Sequence, residues 1–235
     1  MKLFLRSLIF NLVFYGWTAV LCFALLGTLV LSRRQMAGVV RLWLSHLAWI
    51  EHHIGGIRWR VIGRENVPPG ACIIAAKHQS AWETFKLHLL FGDPAIVLKE
   101  ELLNIPIWGW YVRRAGMIPI DRRGHALALA RMMEAAHKAI DEGRKIVIFP
   151  QGTRVAPGEQ RTYKSGIAAL YQELNVPVVP MALNSGLLWA KNSFIKKPGL
   201  ITVEFLPPIP PGLPREEMMT RLKDGLEAVT ERLVR

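Results

Sequence analysis

The hydrophobic pattern begins with an apolar run near the start of the chain. Residues 7–32, SLIFNLVFYGWTAVLCFALLGTLVLS, carry no charged side chain, and basic residues flank them at Lys2, Arg6, Arg33 and Arg34. As one helix the run would be roughly 39 Å long, which is enough to cross a bilayer with some tilt and is longer than most buried core helices. The apolar region of a cleaved signal peptide has only about 7–15 residues. The run therefore predicts a membrane-associated helix that either spans the bilayer or inserts into it.

The next stretch, MAGVVRLWLSHLAWIEHHIG at residues 36–55, alternates apolar and polar positions with helical spacing. Its apolar residues form one broad face, and the rings of Trp43 and Trp49 suit the headgroup region of a membrane. Glu51, His52 and His53 are metal-ligand types, but adjacent positions on a helix point in different directions. The pattern predicts an amphipathic interfacial helix, so that residues 1–56 form a membrane anchor.

From residue 57 onward, short β-rich runs alternate with helical stretches. Strands are predicted at 57–63, 71–76, 95–99, 145–149, 176–183 and 200–206, and helices at 81–91, 125–142 and 164–175. A proline-rich connector at 206–214 leads to a last helix with the apolar stripe Met218, Leu222, Leu226, Val229 and Leu233. This alternation predicts an α/β domain over residues 57–235, with a mixed central sheet flanked by helices.

Charge and composition favour a membrane over a nucleic acid as the partner. The 235 residues include 30 Lys and Arg against 18 Asp and Glu, and the net charge of +12 suits a polyanionic surface. The mean hydropathy of +0.22 and the eight tryptophans are typical of a membrane-bound chain, because nucleic-acid-binding domains of this charge are usually more polar. Cys22 and Cys72 form no CxxC motif, and we expect a reducing, cytoplasmic setting for the main domain.

Four of the seven histidines have an acidic residue five positions later. Five residues along a continuous helix turn the chain by about 500°, so such a pair faces in different directions. Only His78 follows a predicted buried strand and then crosses a polar bend, which would let its ring fold back over Glu83. The context predicts a His78–Glu83 pair, with the imidazole accepting a proton. The other three pairs are His46/Glu51, His88/Asp93 and His137/Glu142.

Glu83 has a second explanation in the sequence. SAWE, from Ser80 to Glu83, has the pattern of a capping box, in which the glutamate side chain accepts a hydrogen bond from the backbone N–H of the N-cap residue, Ser80. This role needs no catalysis, although a carboxylate has enough lone pairs for both roles.

A further candidate is KIVIFPQGTR at residues 145–154, where a strand ends in Gly152, Thr153 and Arg154. Glycine lets a ligand approach the backbone, and arginine can hold a phosphate through two parallel hydrogen bonds. An ordinary turn with a surface arginine would have the same pattern.

Together, these motifs resemble those of the glycerolipid acyltransferase family. KHQSAWE (77–83) resembles the family's histidine followed after four residues by an aspartate, and FPQGTR (149–154) resembles its FPEGTR. KEELLNIPIWGWYVRRAGMIPIDRR (99–123) is similar to the acceptor-binding block and VPVVP (176–180) to the last block. The resemblance covers roughly residues 57–210, and all four blocks stand in the family's order. Glu83 in place of the aspartate and Gln151 in place of the glutamate are departures.

The resemblance implies transfer of a fatty acyl group from acyl-CoA or acyl carrier protein to the free hydroxyl of 1-acylglycerol-3-phosphate, giving phosphatidic acid. His78 would deprotonate the hydroxyl, and Glu83 would orient the imidazole. No cofactor, metal or nucleic acid is implied, and the partners would be the lysophospholipid acceptor, the acyl donor and membrane lipids. The implied location is the bacterial inner membrane, with the catalytic domain on its cytoplasmic side. The expected acceptor-binding residues are Lys99, Arg113, Gly152, Thr153 and Arg154, with Arg122 as a weaker candidate.

Two other functions fit the sequence. A different lysolipid, such as a lyso-ornithine lipid, could be the acceptor, and the phosphate-binding roles would then lapse. A catalytically silent membrane-binding protein is disfavoured because HQS, GTR and the acceptor block are intact. A serine hydrolase of the α/β type is also disfavoured, since none of the serines lies in a GxSxG motif.

Overall fold

The computed structural model describes residues 1–121 and 125–235. The helices are α1 (Lys2–Ala24), α2 (Arg33–Ile50), α3 (Trp82–Phe91), α4 (Trp108–Arg114), α5 (His125–Asp141), α6 (Gly166–Leu174) and α7 (Arg215–Val234). The strands are β1 (Ile57–Ile62), β2 (Ile73–Ala76), β3 (Ala95–Lys99), β4 (Ile118–Ile120), β5 (Ile146–Ile148), β6 (Val178–Leu183) and β7 (Gly199–Phe205). Each strand predicted from the sequence is present, with bounds shifted by at most two residues.

The strands of the described residues form one sheet in the order β1-β7-β6-β2-β5-β3-β4. Neighbouring strands run parallel, except that β6 and β7 are antiparallel. The first strand pairs with the last, with Ile57 opposite Gly199 and Ile62 opposite Glu204. The predicted fold class, a mixed central sheet flanked by helices, is confirmed.

Helices cover both faces of this sheet. Successive residues of β2 alternate between two cores, because side chains along a strand point to opposite faces. Ile74 belongs to the core that contains residues of α1 to α4, and Ile73 belongs to the core that contains residues of α5, α6 and α7. The central strands β2, β5 and β6 are covered on both faces, which explains their continuous apolar runs.

The apolar run at residues 7–32 is not one continuous helix. The α-helix ends at Ala24, a 3₁₀ turn follows at Leu26–Val30, and α2 begins after Ser32. Gly27 is a weak helix former, and Ser32 caps α2 through a reciprocal capping box with Gln35. The 23-residue α1 is long and apolar enough to cross a membrane, and only 17% of its most apolar window is buried in the protein.

Both N-terminal helices pack against the α/β domain. Phe10 and Phe14 each lie with their ring centroids 5.3 Å from that of Trp189. Trp43 is buried beside Trp108 rather than at headgroup depth, because α2 turns this face toward the protein interior. Trp49 is exposed, as expected for an interfacial residue. The bounds 1–56 and 57–235 remain a prediction about roles, since in packing the two parts share one core.

Candidate active site

His78 lies in the short connection between β2 and α3. The backbone N–H of Lys77 donates to the carbonyl oxygen of Met181 at 2.9 Å, and that of Val155 donates to the carbonyl oxygen of His78 at 2.7 Å. The imidazole stacks on Phe149, with ring centroids 4.1 Å apart. The connection is therefore fixed by β6 on one side and by the segment after β5 on the other.

Glu83 is fully buried and binds the imidazole directly. His78 Nδ1 lies 2.8 Å from Glu83 Oε1, and the backbone N–H groups of Gln79 and Ser80 each donate to the same oxygen at 2.7 Å. The hydroxyl of Ser185 donates to the other oxygen, Oε2, at 2.7 Å. The two explanations offered by the sequence therefore coexist, because this carboxylate both pairs with the histidine and accepts the Ser80 N–H.

The capping box is only half formed. Ser80 Oγ accepts a hydrogen bond from the Trp82 N–H at 3.1 Å, and α3 begins one residue later than the box would require. The bend before the helix is what brings His78 back over Glu83.

The pairing with Glu83 determines which ring nitrogen of His78 is available. An ionised carboxylate only accepts hydrogen bonds, so Nδ1 carries the proton and donates it to Glu83. The lone pair then lies on Nε2, and His78 lines a large cavity with its side chain 17% exposed. This arrangement is suited to accept a proton from a substrate hydroxyl.

The other histidine pairs do not form such a site. Glu51 pairs instead with Lys86 and His137 with Glu173, at 2.7 and 3.0 Å. His88 is buried, and burial lowers its pKa to about 4, so this imidazole is neutral near pH 7. Among the described residues, no group of three or more His, Cys, Asp or Glu side chains is placed to hold a metal ion.

A cavity of about 1900 Å³ extends from the N-terminal helices to α7, and His78 lines it. Its walls differ in character along their length. The wall near α2 and α3 is apolar and includes Val40, Trp43, Leu44, Leu47 and Phe85. The wall formed by the segment after β5 and by α7 is polar and basic and includes Thr153, Arg154, Arg161, Lys164 and Lys223.

The turn after β5 brings the second sequence motif to the same cavity. The Gly152 N–H donates to the carbonyl oxygen of Phe149 at 2.9 Å, and Gly152 has a φ of 66°, a left-handed conformation that favours glycine. The structure brings Gly152, Thr153 and Arg154 together with His78 around one space. Two motifs far apart in the sequence thus form one site.

The remaining predicted acceptor residues divide between two cavities. Lys99 lines the large cavity, and its Nζ lies 2.8 Å from Glu101 Oε1. Arg113 lines a separate cavity of about 250 Å³ beside Glu100 and Asp121, so the structure does not bring it to His78. Arg122 lies outside the described residues.

Two side chains at the site gave no signal in the sequence. Ser185, which holds Glu83 Oε2, lies 102 residues beyond it, in the 3₁₀ turn that follows β6. Glu227 of α7 contacts Lys77, Gln151 and Tyr163. Ser185 follows β6 and Glu227 lies within α7, so only the tertiary fold brings them near the motifs, and no local spacing encodes such proximity.

Comparisons with known proteins agree with this geometry. Residues 58–184 match the family model described as Acyltransferase. The chain is 38% identical over 171 residues to the 1-acyl-sn-glycerol-3-phosphate acyltransferase of Pseudomonas aeruginosa, and the match covers 73% of this chain and 66% of that protein. It is 33% identical over 158 residues to the protein of the same name from Limnanthes douglasii, covering 66% of this chain and 56% of the relative. The matched segments thus span less than two thirds of these relatives' lengths.

The fold also has a solved counterpart. The crystal structure of the 1-acyl-sn-glycerophosphate acyltransferase of Thermotoga maritima superposes with a TM-score of 0.78, covers 99% of both chains and is 22% identical in sequence. At 22% sequence identity, this structural similarity shows that the two proteins share a fold and no more. From the matched residues and the geometry of its motifs, the chain belongs to the acyltransferase family.

Proposed function

We propose that this protein is a 1-acylglycerol-3-phosphate O-acyltransferase. It would move a fatty acyl group from acyl-CoA or acyl carrier protein to the free hydroxyl of its acceptor and so produce phosphatidic acid. The observation that carries the proposal is that one cavity joins a histidine–carboxylate pair, a basic turn and an apolar wall. The names of the relatives, from a bacterium and from plants, point to the same reaction.

The reaction needs one general base and no covalent enzyme intermediate. Nε2 of His78 takes the proton of the acceptor hydroxyl, and the oxygen attacks the carbonyl carbon of the acyl thioester. The carbon–sulfur bond then breaks, and the imidazolium returns its proton to the leaving thiolate, so that a free thiol is released. Glu83 stabilises the imidazolium between these two steps, because its negative charge lies 2.8 Å from Nδ1.

Acceptor recognition is assigned to the basic end of the cavity. Arg154 and Thr153 would bind the phosphate with the backbone of the turn at Gly152, and Lys99 would add a second positive charge. Arg113 stays a proposed acceptor-binding residue, although it lines the smaller cavity. The apolar wall beside α2 would hold a fatty acyl chain.

The membrane assignment rests on α1 and on the nature of the substrates. Both the acceptor and the product are lipids, and α1 exposes many large apolar side chains, including Phe4, Leu12, Val20 and Phe23. We propose that α1 holds the protein at the bacterial inner membrane, with residues 57–235 on the cytoplasmic side, where the acyl donors are made.

The test is a panel of acceptors assayed with the purified full-length protein in mixed micelles. The panel contains lysophosphatidate, two neutral-headgroup lysophospholipids and a lyso-ornithine lipid, each with acyl-CoA and with acyl carrier protein, and His78→Ala is the blank. We expect lysophosphatidate to give the highest kcat/KM. A preference for the lyso-ornithine lipid would overturn the acceptor, and no turnover with any lysolipid would overturn the enzymatic assignment.

A further inference from the structure

The carboxylate of Glu227, on the last helix, contacts three separate segments of the chain. Both of its oxygens lie 2.6 Å from Lys77 Nζ, and its Oε1 accepts hydrogen bonds from Tyr163 Oη at 2.9 Å and Gln151 Nε2 at 3.4 Å. Lys77 is 1% exposed and Glu227 13% exposed at the side chain. We call these four residues the α7 cluster.

Each partner of Glu227 belongs to a segment that lines the active-site cavity. Lys77 immediately precedes His78, and Gln151 immediately precedes Gly152. Tyr163 precedes Lys164, whose backbone N–H donates to the carbonyl oxygen of Pro150 at 2.7 Å. One carboxylate therefore connects the general-base segment, the basic turn and the loop that packs over that turn.

The electrostatics of the α7 cluster make these contacts strong. A buried ammonium group is costly unless an opposite charge lies against it, and Glu227 supplies that charge to Lys77. Burial and the charge of Glu227 both raise the pKa of Tyr163, so its hydroxyl remains a donor over the whole physiological range.

We propose that Glu227 is a positioning residue, which holds the His78 segment and the turn at Gly152–Arg154 at a fixed distance from each other. This inference rests on the proposed function, because it assigns base and phosphate-binding roles to those two segments. It makes the last helix part of the active-site architecture, although α7 contributes no catalytic residue. Loss of the Glu227 charge would then impair turnover beyond any effect on folding.

The first experiment separates positioning from general stability. Glu227→Gln keeps the size of the side chain and removes its charge. We expect kcat/KM for the acceptor to fall by about a hundredfold, the effect of small displacements at a reacting centre. Leu222 lies in the core on the same helix and outside the α7 cluster. The matched control is therefore Leu222→Val or Leu222→Ala, whichever has the same melting temperature as Glu227→Gln. An equal loss of activity in that control would overturn the proposal.

The second experiment moves the charge within the α7 cluster. The end of Gln151 and Lys77 Nζ both contact Glu227 Oε1, so a carboxylate at position 151 can pair with Lys77. We expect the double variant Gln151→Glu/Glu227→Gln to be at least tenfold more active than Glu227→Gln. Gln151→Glu alone should lower activity, because two carboxylates would compete for one ammonium. A double variant no more active than Glu227→Gln would overturn the proposal.

These outcomes are independent of which lysolipid is the acceptor. Activities are compared with wild type on whichever acceptor the wild type uses, and melting temperatures are measured in parallel. If Glu227→Gln does not fold, recovery of a folded, active double variant supports the proposal, and failure of the double variant to fold overturns it. A wild type that is inactive on every lysolipid would count against the proposed function, whereas failed rescue in an active enzyme counts against the role of Glu227.

Discussion

At the residue scale, Glu83 combines two roles in one side chain. Its Oε1 accepts three hydrogen bonds, two from the backbone and one from His78, while its Oε2 accepts one from Ser185. A glutamine can retain the backbone contacts through its carbonyl oxygen and can donate to the Ser185 hydroxyl through its amide. A change to glutamine therefore removes the charge and preserves the shape.

We expect Glu83→Gln to lose most of the general-base contribution, about 10²–10⁴ in kcat, while its melting temperature stays close to wild type. His78→Ala should be comparably inactive, and the double variant should be little worse than either, because the two residues act as a unit. Glu83→Asp should retain substantial activity, because it keeps the charge and is the residue usual in the family. Steady-state turnover and thermal unfolding of these proteins are the measurements. A stable and fully active Glu83→Gln protein would leave capping as the whole role of this carboxylate.

The guanidinium of Arg154 is the main phosphate contact proposed at the basic end of the cavity. Arg154→Ala should raise the acceptor KM by about ten- to a hundredfold, which corresponds to the roughly 1.5–3 kcal/mol of a charge-assisted hydrogen bond. The control is Arg221→Ala, because Arg221 is an exposed residue of α7 that pairs with Glu217. An acceptor KM unchanged in Arg154→Ala would remove this residue from the site.

Gln151 also has a physical explanation at this scale. The family motif has a glutamate here, but in this chain the end of Gln151 lies 3.4 Å from the carboxylate of Glu227. A second carboxylate at that distance would be repelled, whereas an amide can donate to it. The departure from the motif is therefore compatible with a working site.

At the element scale, a buried ion pair joins the end of α2 to α3. Glu51 Oε2 lies 2.7 Å from Lys86 Nζ, and the indole N–H of Trp82 donates to Glu51 Oε1 at 2.7 Å. Burial raises the pKa of Glu51 and lowers that of Lys86, and the attraction between the two opposes both effects. Since α3 also carries Glu83, the N-terminal helices are connected to the helix whose carboxylate binds His78.

Glu51→Ala should destabilise the protein by about 3–5 kcal/mol, because it leaves the Lys86 charge buried without its partner. Glu51→Leu/Lys86→Leu should be far less harmful, since it removes both charges together. Thermal unfolding in detergent measures both, and Glu217→Ala, which breaks the exposed pair with Arg221, serves as the control with a loss of about 0–1 kcal/mol. If the double variant were as unstable as Glu51→Ala, the pair would not be the source of the effect.

The elements differ in how far the sequence predicts them. The long periodic segment α5 and the apolar runs β2 and β6 are predicted within two residues of their observed bounds, and the apolar stripe of the last helix lies within α7. The seven-residue α4 and three-residue β4 were missed, because segments this short contain too few turns or alternations to show a period. The burial of Trp43 was also missed, since its position on an apolar face does not distinguish a protein partner from a lipid one.

For the site, the bend at residues 78–81 was sufficient to single out His78 and Glu83 among the four histidine pairs. The positions of Ser185 and Glu227 depend on the order of strands in the sheet, which local sequence does not encode.

At the scale of the whole molecule, acid stability should depend on His88. Its neutral imidazole is buried, and burial lowers its pKa from 6.5 to about 4 against the attraction of Asp93. Between these two values the unfolded chain binds a proton that the folded protein does not. The contribution of neutral His88 to the free energy of unfolding is thus fully present above about pH 6.5 and is lost as the pH falls toward 4.

We expect wild type to lose about 3 kcal/mol more stability between pH 7 and pH 4 than His88→Gln, in which this position does not titrate. Urea unfolding of both proteins in detergent, at several values of pH across this interval, measures the difference. If the free energy of unfolding changed with pH equally in the two proteins, burial would not lower the pKa of His88.

The pairing of the first strand with the last has a consequence for synthesis of the protein. β1 is an edge strand whose partner, β7, is made only when translation has passed Phe205. At about 5–20 residues per second, a ribosome needs on the order of ten seconds to synthesise the chain between the end of β1 and the end of β7. Throughout this time the backbone of β1 remains unpaired and could bind the strands of other chains. If α1 inserts into the bilayer early, as its length and apolar surface allow, insertion would keep each nascent chain apart from its neighbours, and this helix would then also act as a folding aid.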